Sequence, residues 1–128
     1  MSQHVDTGFV SFHAGAAIAK YALVQIEADG DVITNVLATR PIGVCMTEAF
    51  ADQDVVNVKL LNGSGTQKLI ASVVLTAGDP CFTAAAGKVG DSASNARMVG
   101  IALESSAADG NIIEVVCGIF NGIDDDVA

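Results

Sequence analysis

Apolar residues recur along this chain in short runs, some continuous and some alternating with polar residues, and each run is closed by Gly, Asp, Asn or Ser. A period of two marks a half-buried strand. The pattern predicts strands near 9–14, 23–28, 31–36, 42–47, 54–60, 66–74, 81–84, 98–104 and 112–120. The β-branched residues Val55, Val58, Ile112, Ile113, Val115 and Val116 reinforce the last of these and the fifth. Asp29-Gly30 predicts a tight hairpin turn, because Gly takes a positive φ at little cost. Asn62-Gly63-Ser64-Gly65 predicts a second turn or loop. The helical signal is weaker. Its main carrier is the Ala-rich stretch 14–21, which is short, contains Gly15 and has no polar face. The stretches 49–52 and 105–109 have room for one helical turn each, too little for an independent helix. The expected fold is mainly β, a small barrel- or sandwich-like domain with at most one or two short helices.

An internal repeat organises these strands. Shifting the chain on itself by 57 residues, the separation of Gly43 and Gly100, aligns the two halves without a gap. On that shift Ala14 meets Ala71, Gly30 meets Gly87, Val32 meets Val89, Arg40 meets Arg97, Asp52 meets Asp109 and Val58 meets Val115. Conservative pairs fill the spaces: Ile42 with Val99, Val44 with Ile101, Met46 with Leu103, Val55 with Ile112 and Val56 with Ile113. The copies cover about 12–60 and 69–117. Two copies of one β-unit can share a core that neither builds alone. An internal pseudo-two-fold duplication is therefore expected. It divides the chain into an extended N-terminal arm over 1–17, a single β domain over 18–120 and an acidic tail over 121–128.

Composition narrows the function classes. The 128 residues suit one domain with a modest core. Apolar residues make up 51% and mean hydropathy is +0.49, which suggests apolar surface held for a partner even after the many Ala and Val are discounted. Six Lys and Arg against fifteen Asp and Glu give a net charge of -9. Without a cationic cluster to displace counterions, direct binding to nucleic acid is not expected, and an anionic membrane repels such a chain. No apolar stretch approaches the roughly 20 residues that span a bilayer, and Met1–Asp6 lacks the basic and apolar regions of a secretory signal. Cys45, Cys81 and Cys117 are odd in number, lack a Cys-x-x-Cys pair and lie in apolar runs, so buried reduced thiols are expected and cytoplasmic synthesis fits.

Candidate chemistry is sparse. His4 and His13 are the histidines, and either could be combined with Asp6 as a metal site or serve as a base, but both suit a surface or an interface better. Gly90-Asp91-Ser92 is a fragment of a hydrolase motif without the helix and the positioned His that a triad needs. Asp124-Asp125-Asp126 lacks the glycine turn of a calcium loop and reads as a solvated tail. Gly63-x-Gly65 is too short to cradle a phosphate. Lys88 sits in a Gly-Lys-Val turn without the neighbours of a carrier-domain lysine. Asn62-Gly63-Ser64 matches a glycosylation sequon, which has no meaning without secretion.

The paired units carry a family likeness. Ala77-Gly78-Asp79-Pro80, Ala86-Gly87-Lys88-Val89, Val99-Gly100-Ile101-Ala102 and Ala108-Asp109-Gly110-Asn111 before an apolar strand resemble the motifs of small bacteriophage head cement proteins, over roughly 9–120. The second copy fits best. The first has Ala19-Lys20-Tyr21-Ala22-Leu23 where the second has Thr76-Ala77-Gly78-Asp79-Pro80, and Asp52-Gln53-Asp54 in place of Asp109-Gly110-Asn111, which leaves both turns open. The resemblance implies a compact β-barrel-like domain related to lambda-like head decoration proteins. It implies a virion protein on the outer capsid surface, bound to the major capsid protein at junctions between its subunits and stabilising the shell. It also implies a homo-oligomer, a trimer before a dimer, with no catalytic residue and no cofactor. The alternative is another phage structural subunit, from a tail tube or baseplate. Phe9, Val10, Phe12 and His13 are the expected capsid-interface residues, carried on the arm as apolar anchors that add a strand to an exposed sheet edge. Removing 1–17 is expected to abolish attachment and leave the body folded.

Overall fold

Each half of the chain folds into its own five-stranded antiparallel sheet. The computed structural model describes residues 8–62, 65–94 and 96–117. The first sheet contains β1 (Phe9–His13), β2 (Leu23–Ile26), β3 (Val32–Thr34), β4 (Gly43–Cys45) and β5 (Val55–Leu60), in the order β1-β5-β4-β2-β3. The second contains β6 (Gln67–Ile70), β7 (Pro80–Thr83), β8 (Val89–Gly90), β9 (Met98–Ala102) and β10 (Ile112–Cys117), in the order β6-β10-β9-β7-β8. All nine expected strands are present. The tenth, β8, is two residues long and carries no alternation to read.

The duplication extends to individual hydrogen bonds. A shift of 57 residues carries Leu23–Ile26 onto Pro80–Thr83 and Val55–Leu60 onto Ile112–Cys117 without offset. The isolated bridges Ala14 to Val32 and Ile18 to Ala49 recur as Ala71 to Val89 and Leu75 to Ser106. The two turns that the sequence left open adopt the same backbone in both halves. Tyr21 (φ 72°) matches Gly78 (φ 94°), and Gln53 (φ 74°) matches Gly110 (φ 96°). Their amides donate to equivalent carbonyls: Tyr21 to Cys45, Gly78 to Ala102, Gln53 to Ala14 and Gly110 to Ala71. The fold thus imposes a left-handed residue at two sites where only the second half supplies glycine.

Stretch 14–21 is not a helix, because its residues serve the sheet. Ala14 bridges to Val32 and Ile18 to Ala49, and both side chains are buried. The stretches around 49–52 and 105–109 form bends and turns rather than helical turns, and among the described residues the one helical element is a 3-10 turn at Ala85–Gly87. The N-terminal arm is also shorter than expected. Residues 9–13 pair along their whole length with β5, and Ala14 lies in the core, so 9–17 belongs to the body. Removing 1–17 would strip an edge strand from the first sheet, so a body left intact is no longer the expectation. Residues 1–7, the end of the ninth strand at 118–120 and the acidic tail at 121–128 lie outside the described residues.

Two cores result. Ile18, Val24, Val32, Cys45, Val56 and Val58 centre the first. Leu69, Leu75, Cys81, Val89, Ile113 and Val115 centre the second, and Leu23, Val44 and Leu61 of the first half join them. Neighbouring side chains on a strand point to opposite faces. Val24 and Cys45 therefore fill the first core, whereas Leu23 and Val44 project from the back of the same sheet into the second. The halves pack front to back, which buries both faces of β2 and β4.

Candidate functional site

Among the described residues a shallow recess of about 240 Å³ is lined by Leu37, Val73, Thr83, Asp91, Ser92 and Ser94 among others. Ser92 belongs to a polar turn in which its Oγ accepts from the Ser94 amide at 3.3 Å. Lys88 leaves the 3-10 turn and its Nζ meets an Asp109 carboxylate oxygen at 2.9 Å, an exposed ion pair of small energetic weight. Among the described residues no three His, Cys, Asp or Glu side chains converge as a metal site. His4, Asp6 and Asp124-Asp125-Asp126 lie outside the described residues.

The four expected interface residues all lie on β1, an edge strand, but they do not form one surface. The strand alternates: Val10 and Phe12 are half-buried, and Phe12 flanks the first core. Phe9, Ser11 and His13 face outward, with the Lys59 ammonium 5.8 Å from the Phe9 ring centre. His13 lies opposite Val55, at the far end of β1 from Phe9.

Sequence reasoning missed a second set of exposed apolar residues. Phe50 is 78% exposed, Val74 64% and Val55 63%. Phe50 stands in a loop capped by the Asp54 carboxylate, which accepts from the Phe50 and Ala51 amides at 2.8 and 3.1 Å. Val55 begins β5 immediately after that cap, beside His13. Val74, the counterpart of Ala17 in the second half, lies between the Ala71 and Leu75 bridges. The signal available in the sequence was Phe50 itself, a lone aromatic between Glu48-Ala49 and Ala51-Asp52, with polar residues at Thr47, Gln53 and Asp54 as well.

The three thiols serve packing. Burial raises Cys45 above its ordinary value of 9.0. Burial, then the Asp79 charge, pushes Cys81 to about 11. Burial, then proximity to Cys81, pushes Cys117 to about 12. The unfolded chain releases these protons near 9, so between pH 9 and about 12 the folded state holds more protons than the unfolded one. Their contribution to stability is fully present below pH 9 and is lost as pH rises through the folded values. The expected result is that the native protein resists thiol alkylation at pH 8 and that its melting temperature falls progressively above pH 9. Rapid alkylation without unfolding would contradict it.

No known family model matches the chain, and no curated protein does. Among solved structures, the N base of the head fiber gp8.5 of bacteriophage phi29 is similar, with a TM-score of 0.68 at 21% sequence identity. The match covers 86% of this chain and 94% of that one, so the two share nearly the whole of one β fold.

Proposed function

We propose that this chain is a structural protein of a bacteriophage head, attached to the outer surface of the shell at junctions between major capsid protein subunits, where it acts as cement by adhesion alone. The observation that supports this most is the likeness, over most of both chains, to the base of a phage head fiber. The likeness to a head component favours the head over the tail tube or baseplate. The capped loop at Phe50 and the exposed Val55 and Val74 suit the role, because preorganised apolar anchors lose little entropy on docking. With a net charge of -9, contact with the DNA inside the shell is disfavoured and the outside is favoured. A trimer would match a local three-fold position and multiply three modest contacts into a firm clamp.

The test is titration of the purified protein onto expanded shells stripped of their outer proteins, read by co-sedimentation. Saturable binding at a fixed ratio to capsid subunits is expected. Phe50→Ser combined with Val74→Ser should weaken it at least tenfold, about 1.4 kcal/mol, without lowering the melting temperature. Shells that take up no protein would refute the reading.

A further inference from the structure

The recess of about 240 Å³ lies on the seam between the halves, because Leu37 of the first half lines it together with Val73, Ala84, Ala85 and Asp91 of the second. The loop that carries Leu37 is tied on both sides. Within the first half, the Val36 amide donates to Gln25 Oε1 at 2.9 Å. From the second half, the Thr83 hydroxyl donates to the Leu37 carbonyl at 2.6 Å and Arg97 Nε donates to the Ala38 carbonyl at 3.2 Å. These ties hold the wall in place, so the recess is largely preformed, as binding sites usually are.

The polar groups of the recess are unequally engaged. The Ser72 hydroxyl donates to the Val89 carbonyl at 3.1 Å, the Thr83 hydroxyl is held by Leu37, and Ser92 Oγ accepts from the Ser94 amide. The Asp91 carboxylate, by contrast, takes part in no hydrogen bond or ion pair among the described residues. Around it the surface is apolar. Leu37 is 40% exposed and Val73 38%, and their chain neighbours Val36 and Val74 are 50% and 64% exposed. An apolar hollow with one unengaged carboxylate matches both ends of a lysine or arginine side chain, whose methylene stem takes apolar cover and whose head takes a carboxylate. A small free cation would use the carboxylate and leave Val36 and Val74 bare. An anion is repelled by Asp91 and by the net charge of -9.

We infer that the recess receives a lysine or arginine side chain of the major capsid protein, carried on an apolar stretch that packs against Val36, Leu37, Val73 and Val74. The inference rests on the capsid reading for the identity of the partner and adds the chemistry by which that partner is recognised. An ion pair left in water at this rim would count for little, whereas docking of the apolar flanks excludes water from the pair and raises its weight. Because the recess is built from both halves, an occupant also touches both and braces the seam.

The test repeats the titration onto stripped shells with three variants: Asp91→Asn, which removes the charge at constant size, Asp91→Glu, which keeps the charge, and Ala85→Trp, which fills the recess. Asp91 and Ala85 are both exposed, so all three should melt with the wild type. Asp91→Asn and Ala85→Trp should weaken binding roughly tenfold or more, and Asp91→Glu should bind nearly as the wild type does. Added salt should weaken the wild type more steeply than Asp91→Asn. Variants that all bind as tightly as the wild type would overturn the inference and leave the capsid reading standing, whereas shells that take up no wild type would overturn both. Light scattering of the free proteins separates the remaining occupant: a wild-type multimer that Asp91→Asn or Ala85→Trp dissociates would put a second copy in the recess, and the inference would fall.

Discussion

Replacing Gly100 with Ala should lower the melting temperature by more than 10 °C, one of the largest effects of any single methyl group in this protein. Gly100 sits in β9 against β10, and a Cβ built there would lie 2.1 Å from the Val116 carbonyl oxygen and 2.9 Å from its carbon. Both atoms are backbone of a strand held by pairing on either side, so neither can rotate away. Relief requires prising β9 from β10. That places the cost at or beyond the upper end of the ~1–3 kcal/mol usual for overpacking, with each kcal/mol worth roughly 3–6 °C in a chain of this size. The repeat supplies an internal replicate: at Gly43 the same Cβ would lie 2.5 Å from the Lys59 carbonyl oxygen, so Gly43→Ala should behave alike. Gly110 supplies the contrast. It has φ 96° but nothing within 4 Å of an added Cβ, so Gly110→Ala meets only the left-handed backbone penalty of about 1–2 kcal/mol. Thermal unfolding of the three variants checks the ranking, and a Gly100→Ala protein melting within a few degrees of the wild type would show that the strands are not so closely apposed.

The second large effect lies at the junction of the halves. Leu23 is fully buried in the second core although it belongs to the first sheet. Leu23→Ala should cost about 2–5 kcal/mol, the range for a buried leucine whose cavity cannot fully collapse. The equivalent position of the second half is Pro80, which is exposed. Pro80→Ala should cost less than about 1 kcal/mol, through the freedom regained by the unfolded chain. Denaturant unfolding with an unchanged slope measures both. Equal costs at the two positions would mean that the halves do not pack front to back.

Much of this architecture was legible in the chain, for definable reasons. A strand with a largely polar second face, such as Val55–Leu60 with Val56 and Val58 buried and Asn57 and Lys59 on the other side, alternates as the pleat demands. The 57-residue shift was readable because residues at turns and close approaches, Gly30 with Gly87 and Gly43 with Gly100, cannot drift far in type. Three features were not legible. The Ala-rich stretch from Ala14 mimics a helix because propensity is local, whereas the burial of Ala14 and Ile18 depends on partners at Val32 and Ala49. Tyr21 and Gln53 hide their left-handed turns because the fold imposes a backbone that their residue types do not advertise. Exposed apolar side chains are expected on β1 because Phe9 and Phe12 are aromatic, yet Phe12 belongs to the rim of a core, and the most exposed large apolar residue, Phe50, sits in a loop where no periodicity points to it.

The front-to-back arrangement also explains how a chain with 51% apolar residues avoids a single large core. Its apolar groups are spread over two small cores, one internal junction and exposed positions such as Phe50, Val74 and Ile112. Exposed apolar groups of this kind are what the proposed adhesion to other proteins would use.

An image reconstruction of the assembled phage particle tests the central claim most directly. The account predicts density of this fold outside the shell, bridging neighbouring major capsid protein subunits, with Phe50 and Val74 turned toward them. A complete particle with this chain absent from its head, or with the chain found only in the tail, would contradict it.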